Sequence, residues 1–260
     1  MTSPSDRLRT GISELDRMLS GGLMRNDTVL LAGGAGTGKS TIGMQYLMQG
    51  AADGEPGIYL TFEELPDHLY RDARNFGWDL KKMESDGLLR VICTSPKVLL
   101  ESQGLQAVLD EPIQEISPRR VVVDSLSHFS MFVSPAELRT QIYQDVMYFK
   151  TKEITPVVIW ETAQAAGQSF VVSDVGVSFL SDAIILFRMI EIDSSLRRGI
   201  VIMKMRGSQH DKRLREYEIT STGVKVLGAF ENYQGLMAGN ATRSGADKFT
   251  DLFGKAAKGK

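Results

Sequence analysis

The amino-acid sequence predicts an α/β fold in which a mostly parallel β-sheet is flanked by helices. Short apolar runs alternate with helical segments along the chain, as they do when helices connect parallel strands. Residues 121–123 are three consecutive valines, a pattern typical of a strand buried on both faces. A glycine-rich segment at residues 33–40 separates an early apolar run from a helical segment. Together these observations favour a covered sheet with a binding loop at one edge.

The individual elements follow from local patterns. Strands are predicted at short runs of β-branched and aromatic residues: 28–32, 57–62, 88–93, 121–123, 157–160, 183–187, 199–205 and 216–220. Helices are predicted where apolar residues recur every three or four positions: 41–50, 65–76, 105–113 and 135–149. Pro135 suits the first position of the last helix, and Gly77 suits the end of the second.

Length and composition describe a globular chain. The 260 residues are 42% hydrophobic and 24% charged, which excludes a disordered, collagen-like or disulfide-stapled protein. Cys93 is the single cysteine, which favours a reducing compartment. Residues 1–10 lack the apolar stretch of a signal peptide, and no apolar run reaches the ~20 residues that span a bilayer. We expect a cytoplasmic protein with no membrane partner, one domain at 1–237 and a flexible basic tail at 238–260.

The segment Gly33-Gly34-Ala35-Gly36-Thr37-Gly38-Lys39-Ser40 matches the phosphate-binding P-loop at every fixed position. Glycines let backbone N–H groups surround phosphates at a helix N-terminus. We expect ATP to contact Gly34, Ala35, Gly36, Thr37, Gly38, Lys39, Ser40 and Thr41. Lys39 would reach the β- and γ-phosphates, and the Ser40 hydroxyl would ligate Mg²⁺.

A P-loop requires an acidic partner on another strand to hold the metal. Asp124 directly follows the valine run 121–123 and is the predicted partner, the Walker B aspartate. The alternative is an aspartate that caps a turn, because Ser125 and Ser127 follow it. No guanine-reading Asn/Thr-Lys-x-Asp motif is present, since residues 151–154 end in isoleucine, and this argues against a GTPase.

Five motifs in order give the chain a specific resemblance. They are Thr10-Gly11-Ile12-Ser13-Glu14-Leu15-Asp16, the P-loop, Thr61-Phe62-Glu63-Glu64, Val123-Asp124-Ser125 and Lys204-Met205-Arg206-Gly207-Ser208. Over residues 9–233 the chain resembles the KaiC family of RecA-like ATPases. The family's best-known member, the cyanobacterial clock protein, has two tandem domains, and this chain is most similar to the second. The resemblance implies a RecA-like core with a C-terminal β extension, Mg²⁺-ATP binding and slow hydrolysis.

Paired carboxylates follow the second predicted strand, next to the expected place of the γ-phosphate. A carboxylate there can orient or deprotonate an attacking hydroxyl or water. The resemblance implies that Glu63 is the general base and that Glu64 supports it. The structural alternative is a solvated pair at the start of a helix, where the helix dipole favours acidic residues.

Lys204 and Arg206 alternate along a predicted strand, so we expect both side chains on one face. In KaiC-like and RecA-like rings such residues resemble trans-acting fingers that reach the nucleotide of a neighbouring subunit. The resemblance therefore implies a homo-oligomeric ring, a hexamer, in which Lys204 and Arg206 are catalytic. The alternative is a solvated strand edge whose charges prevent aggregation.

The resemblance also raises autophosphorylation. Ser178 matches a phosphorylated serine of the family, whereas Phe179 replaces the adjacent threonine. A loop serine before a strand is an equally open interpretation.

Two other functions remain open from the sequence. A recombinase-like ATPase that binds single-stranded DNA would share this core. The net charge of −2 and the absence of Lys and Arg at 163–178 both argue against DNA binding, so we rank this function well below that of a signalling ATPase. A nucleotide-gated scaffold with negligible turnover is the other, and the basic tail could then dock a protein partner.

Overall fold

The computed structural model describes residues 6–101, 104–162, 177–231, 233–238 and 241–243. Its strands are β1 Arg7–Leu8, β2 Leu23–Met24, β3 Val29–Gly33, β4 Gly57–Thr61, β5 Leu89–Cys93, β6 Arg120–Asp124, β7 Thr155–Glu161, β8 Ala183–Ile192, β9 Ser195–Met205, β10 Arg215–Thr220, β11 Gly223–Ala229, β12 Tyr233–Gln234 and β13 Thr242–Arg243. Its helices are α1 Ser13–Met18, α2 Lys39–Ala52, α3 Pro66–Arg74, α4 Leu80–Ser85, α5 Pro96–Glu101, α6 Gln106–Ile116 and α7 Pro135–Thr151. Short 3₁₀ helices cover Leu126–Met131, Val177–Phe179 and Leu236–Ala238.

Nine of these strands form one sheet in the order β11-β10-β9-β8-β3-β7-β6-β4-β5. The six strands from β8 to β5 run parallel to one another, and β9, β10 and β11 continue the sheet antiparallel. This arrangement confirms the predicted α/β fold, its mostly parallel sheet and its C-terminal β extension. Because β3 lies between β7 and β8, the loop that follows β3 opens at the centre of the sheet.

The central strands are buried on both faces, as the valine run in β6 predicts. Val122 packs on one face with α2, whereas Val121 and Val123 pack on the other with α6 and α7. Alternate side chains of a strand point to opposite faces, so one apolar run supplies both cores. Burying each such side chain contributes about 1.5–3 kcal/mol, and this packing fixes the edge from which the binding loop projects.

Helix α7 begins as its sequence predicts. Pro135 occupies its first turn, and Ser134 and Glu137 form a capping box in which each side chain bonds the other residue's backbone N–H. The cap satisfies N–H groups that a helix N-terminus otherwise leaves without partners. Helix α7 can therefore start sharply after the 3₁₀ helix Leu126–Met131.

Several short elements have no clear sequence signal. Helix α4 buries only Leu80 among its six residues, and Asp79 caps it by accepting a hydrogen bond from the backbone N–H of Lys82. Strand β11 contains glycines that weaken its pattern. In the predicted tail, Thr242 and Arg243 pair with β12, while residues 244–260 lie outside the described residues. Among the helices described, none has the length and apolar character that crossing a bilayer requires.

Candidate active site

An open polar cleft lies at the carboxyl ends of β3, β4, β6 and β7. Parallel strands end at the same edge of the sheet, so residues far apart in sequence meet there. The cleft is lined by Ala35, Gly36, Gly38, Lys39, Ser40, Thr61, Glu63, Glu64, Asp124, Ser125, Ile159 and Glu161. The structure thus brings together the P-loop, Asp124 and the Glu63–Glu64 pair.

The loop between β3 and α2 requires its glycines. Gly36 and Gly38 have φ angles of 73° and 80°, in the left-handed region that L side chains rarely adopt. A Cβ atom on Gly38 would also lie 2.7 Å from Cδ1 of Ile219. The chain therefore turns tightly into α2, which begins at Lys39, and the free N–H groups of the first helical turn face the cleft edge.

Lys39 is the cation of this loop. It is only 6% exposed, and its Nζ donates to the Gly34 carbonyl at 2.8 Å. Burial lowers the pKa of the ammonium group, while the nearby carboxylates of Glu161 and Asp124 act in the opposite direction. With one of its three donors used by the loop, the ammonium group retains hydrogen-bonding capacity for an anion in the cleft.

Side chains of β9 and β10 contact carbonyl groups of the P-loop. Buried Thr37 donates to the Gly34 carbonyl at 2.8 Å, and the Tyr217 hydroxyl donates to the Thr37 carbonyl. Arg198 lies at the rim, with Nε 3.4 Å from the Gly36 carbonyl. The C-terminal extension therefore shapes the binding loop as well as extending the sheet.

Ser40 and Asp124 are linked by one buried phenol. The Tyr59 hydroxyl donates to Oδ2 of Asp124 at 2.6 Å, and the Ser40 hydroxyl contacts the same group. Burial, followed by the charge of Asp124, raises the pKa of Tyr59, so it remains a neutral donor. Among the described residues no group of three His, Cys, Asp or Glu is arranged to hold a metal. A hydroxyl and one carboxylate suit Mg²⁺, which usually takes its remaining ligands from phosphates and water.

The Glu63–Glu64 pair is held by the end of β4. The backbone N–H groups of both residues donate to the Thr61 hydroxyl, at 3.3 and 3.1 Å. The Glu63 side chain is 73% exposed, and its Oε2 lies 3.2 Å from Nε2 of His128. Burial and then the charge of Asp124 raise the pKa of Glu64. Two adjacent carboxylates therefore occupy different electrostatic surroundings.

Lys204 and Arg206 lie elsewhere. Lys204 pairs with Ile184, which pairs with Leu30, three residues before the end of β3. At a rise of ~3.3 Å per residue, Lys204 lies about 10 Å from the cleft edge along the strand direction, and it is two strands to the side of β3. Arg206 lies one residue beyond β9, and its side chain is 59% exposed. Neither side chain lines the cleft of its own chain.

Both cations have partners within the chain. Lys204 Nζ donates to the carbonyls of Ser178 and Ser181 at 3.0 and 2.6 Å, and Arg206 pairs with buried Asp182 at 3.3 Å. Ser178 lies in the 3₁₀ helix Val177–Phe179 and is half-buried. Residues 163–176, upstream of this 3₁₀ helix, lie outside the described residues.

Comparison with known proteins places this site in a family. A family model described as "ATPase: KaiC" matches residues 8–231. The chain belongs to the KaiC family. The match covers every strand of the nine-stranded sheet and all the cleft residues, and it confirms the resemblance that the five motifs carry.

Individual KaiC relatives align with nearly the whole chain. The chain is 34% identical over 260 residues to the circadian clock oscillator protein KaiC of Thermostichus vulcanus. That alignment covers 99% of this chain and 49% of the relative. It is 35% identical over 251 residues to the circadian clock protein KaiC3 of a Synechocystis strain, with 95% and 49% covered. The chain spans about half the length of the curated relatives it matches, which is consistent with a single KaiC-like domain.

Sequence reasoning missed several residues of this KaiC-family site. Glu161 ends β7 in the cleft and follows the apolar run 157–160 in the way that Asp124 follows its valines, so a signal was present. Tyr59, inside a strand, and His128, on a 3₁₀ helix, carry no local signal. Arg198 and Tyr217 act on a loop more than 150 positions away, and only the fold connects them.

Proposed function

We propose that this domain binds Mg²⁺-ATP and hydrolyses it slowly. The observation that carries the proposal is one cleft in which a buried lysine, an aspartate at a strand end and a carboxylate pair surround a positive-φ glycine loop. Glycine-loop N–H groups and Lys39 would hold the phosphates, as the resemblance implies for residues 34–41. Ser40 and Asp124 would hold Mg²⁺, which neutralises charge on the phosphates.

Glu63 is the proposed general base. It would accept the proton of a water whose oxygen bonds the γ-phosphorus, while the bond from that phosphorus to the β–γ bridging oxygen breaks and ADP leaves. Glu64 would support it from the more buried position. Lys39, close to the γ-phosphate, would stabilise charge that develops on the transferred group.

Catalysis in a ring is the second part of the proposal. Lys204 and Arg206 lie outside their own cleft, so they can assist phosphoryl transfer only at the nucleotide of a neighbouring subunit. A homohexamer, the assembly that the family resemblance implies, would bring them there. The exposed guanidinium of Arg206 supports this role more strongly than the ammonium of Lys204, which already bonds two carbonyls.

Serine autophosphorylation at Ser178 is the third part. Ser178 lies next to Lys204 and outside the cleft of its own chain, so transfer to its hydroxyl would use ATP bound to a neighbour. The same ring would then support hydrolysis and autokinase activity.

One labelling experiment tests these proposals. The protein is incubated with Mg²⁺ and γ-labelled ATP, and free phosphate and protein-bound label are followed separately. We expect free phosphate from the wild-type chain, and label on the protein that a Ser178→Ala variant loses. Label retained by Ser178→Ala would exclude Ser178 as the acceptor. Nucleotide binding with neither product would favour a nucleotide-gated scaffold, and salt-dependent micromolar affinity for single-stranded DNA would favour a recombinase-like function.

A further inference from the structure

His128 lies where the Asp124 strand and the Glu63 loop meet. It is on the 3₁₀ helix Leu126–Met131, which begins two residues after Asp124. Phe129, the next residue, is buried and packs edge-on against Phe62, with ring centroids 5.1 Å apart. The backbone N–H of Phe62 also donates to the Asp124 carbonyl at 3.0 Å. The Glu63 loop and the 3₁₀ helix are therefore fixed to each other beside the cleft.

Both ring nitrogens of His128 are used. Nε2 lies 3.2 Å from Oε2 of Glu63. Nδ1 lies 3.2 Å from both the hydroxyl and the carbonyl oxygen of Ser125. An imidazole held on its Nδ1 side keeps its Nε2 in one direction.

The polar contacts continue beside the cleft, from Ser125 to Glu161, which both line it. The hydroxyls of Ser125 and Ser127 are 2.6 Å apart, and the backbone N–H of Glu161 donates to the Ser127 hydroxyl at 3.4 Å. A line of polar contacts thus runs from the Glu63 loop to the end of β7 through His128 and the two serines. The ring is anchored at a strand end that also lines the cleft, so its orientation follows the sheet edge.

We infer that His128 positions the Glu63 carboxylate, so that one oxygen is held and the other is available to take a proton from the attacking water. This inference rests on the proposed ATPase function. Nε2–H donates to Oε2, and Oε1 remains as the proton acceptor. Among the described residues, His128 is the only basic side chain that contacts the Glu63 carboxylate.

Glu63 needs a positioning residue because its exposed side chain is free to adopt many conformations. Ordering a long side chain costs conformational entropy, and an unrestrained Glu63 would spend much of its time turned away from the cleft. A hydrogen bond from the fixed His128 ring would restrict the Glu63 side chain before the reaction begins. Misplacing a catalytic group by about 1 Å can cost about 100-fold in rate, so even a partial loss of positioning is measurable in kcat.

Two substitutions separate positioning from structure. His128→Gln places an amide nitrogen near the position of Nε2 and keeps the donor to Glu63. His128→Asn places its amide near the position of Nδ1, which keeps a partner for Ser125 and removes the donor to Glu63. A purely structural role through Ser125 would be rescued by asparagine, whereas a positioning role would be rescued by glutamine.

Steady-state release of phosphate from Mg²⁺-ATP by the full chain tests the inference. We expect His128→Asn to lower kcat about 10-fold with KM for ATP unchanged, and His128→Gln to stay within about twofold of wild type. In a Glu63→Gln background, His128→Asn should cause no further loss, because the group that it positions is already inactive. Thermal unfolding of each variant shows whether it is folded.

The contrary results are distinct. Equal kcat for wild type and both His128 variants overturns the inference, as does rescue by asparagine but not glutamine, or a full additional loss in the Glu63→Gln background. If the wild-type chain releases no phosphate, or Glu63→Gln keeps the wild-type rate, the proposed function itself fails and the inference fails with it. If the wild-type chain turns over and Glu63→Gln is slow, the His128 variants judge the inference alone.

Discussion

Two edges of the same sheet use lysine and aspartate in opposite ways. At the carboxyl edge, Lys39 and Asp124 both line an open cleft, and each of them keeps hydrogen-bonding capacity toward it. At the amino edge, four charged residues pair with one another or with the backbone. We call Asp182, Lys150, Lys204 and Arg206 the Asp182 cluster. Asp182 is 4% exposed and accepts from the Thr28 backbone N–H at 3.0 Å, with Lys150 at 3.0 Å and Arg206 at 3.3 Å.

The difference between the two edges shows which functions a single chain can perform alone and which need a neighbouring subunit. Nucleotide binding needs groups that face empty space, and the carboxyl edge supplies them within a single chain. The Asp182 cluster satisfies its charges internally, so only an exposed part of it, chiefly the Arg206 guanidinium, can serve a neighbour. Burial and then the charge of Arg206 lower the pKa of Lys204. The two edges should therefore respond differently to substitution.

The largest effect is expected at the carboxyl edge. Lys39→Ala should lower kcat/KM for ATP by about 1,000-fold, because it removes the cation that, in the proposed mechanism, would contact the phosphates in both the bound and the transition state. The measurement is steady-state phosphate release, with ATP affinity from calorimetry. Lys212→Ala is the matched control, since Lys212 is exposed and outside the cleft. Equal losses in the two variants would contradict a specific phosphate contact.

The amino edge should give a smaller loss with a different signature. Arg206→Ala should lower kcat about 100-fold and leave the affinity of each chain for ATP near wild type, because in the proposed ring the guanidinium would act only on a neighbour's nucleotide. Lys204→Ala should also lower kcat, and less than Arg206→Ala does, because its ammonium group is bound to carbonyls.

Mixing variants tests whether the action is in trans. A chain with Arg206→Ala has an intact cleft, and a chain with Lys39→Ala has an intact Asp182 cluster. Mixed assemblies should regain part of the turnover that each variant lacks alone. If Arg206→Ala lowers stability but mixing restores no activity, Arg206 only supports the fold through Asp182.

The contrast also explains what could be predicted from the sequence. The P-loop and Asp124 depend on local spacing, so glycines, Lys39-Ser40 and a valine run were enough to predict the cleft and its parallel strands. Glu161 lay within reach of the same reasoning, because it also ends an apolar run. The contacts of His128, Tyr59 and Tyr217 join separate strands, and a linear pattern does not contain them.

The amino edge was harder to predict for the same physical reason. Alternation along a strand placed Lys204 and Arg206 on one face, but it could not show that Ser178, Ser181 and Asp182 bind them. Those partners come from the chain before β8, and the pairing depends on β8 lying between β3 and β9. A charge seen in sequence therefore predicts chemistry only when its neighbours across the sheet are known.

The smallest expected effect tests whether water is excluded from the interior next to the amino edge of the sheet. Asp145 on α7 lines a small, mainly apolar cavity together with Thr28 and Ser181, and it is 6% exposed. Gln141 donates to its Oδ1 at 2.9 Å, and burial raises its pKa to about 7. In the unfolded chain an aspartate titrates near about 3.9, so the folded state holds the proton more tightly.

The sign of the pH dependence follows from that difference. The stability contributed by protonated Asp145 is fully present below the unfolded pKa and is lost as the pH rises through about 7. The wild-type free energy of unfolding should fall by about 3 kcal/mol more than that of Asp145→Asn between about pH 5 and pH 8, measured by urea unfolding. Asp110→Asn is the control, because the hydrogen bond from Tyr148 lowers the pKa of that carboxyl and its titration ends below this range. A pH slope unchanged by Asp145→Asn would mean that water reaches the carboxylate, and the two edges would then differ in pairing but not in hydration.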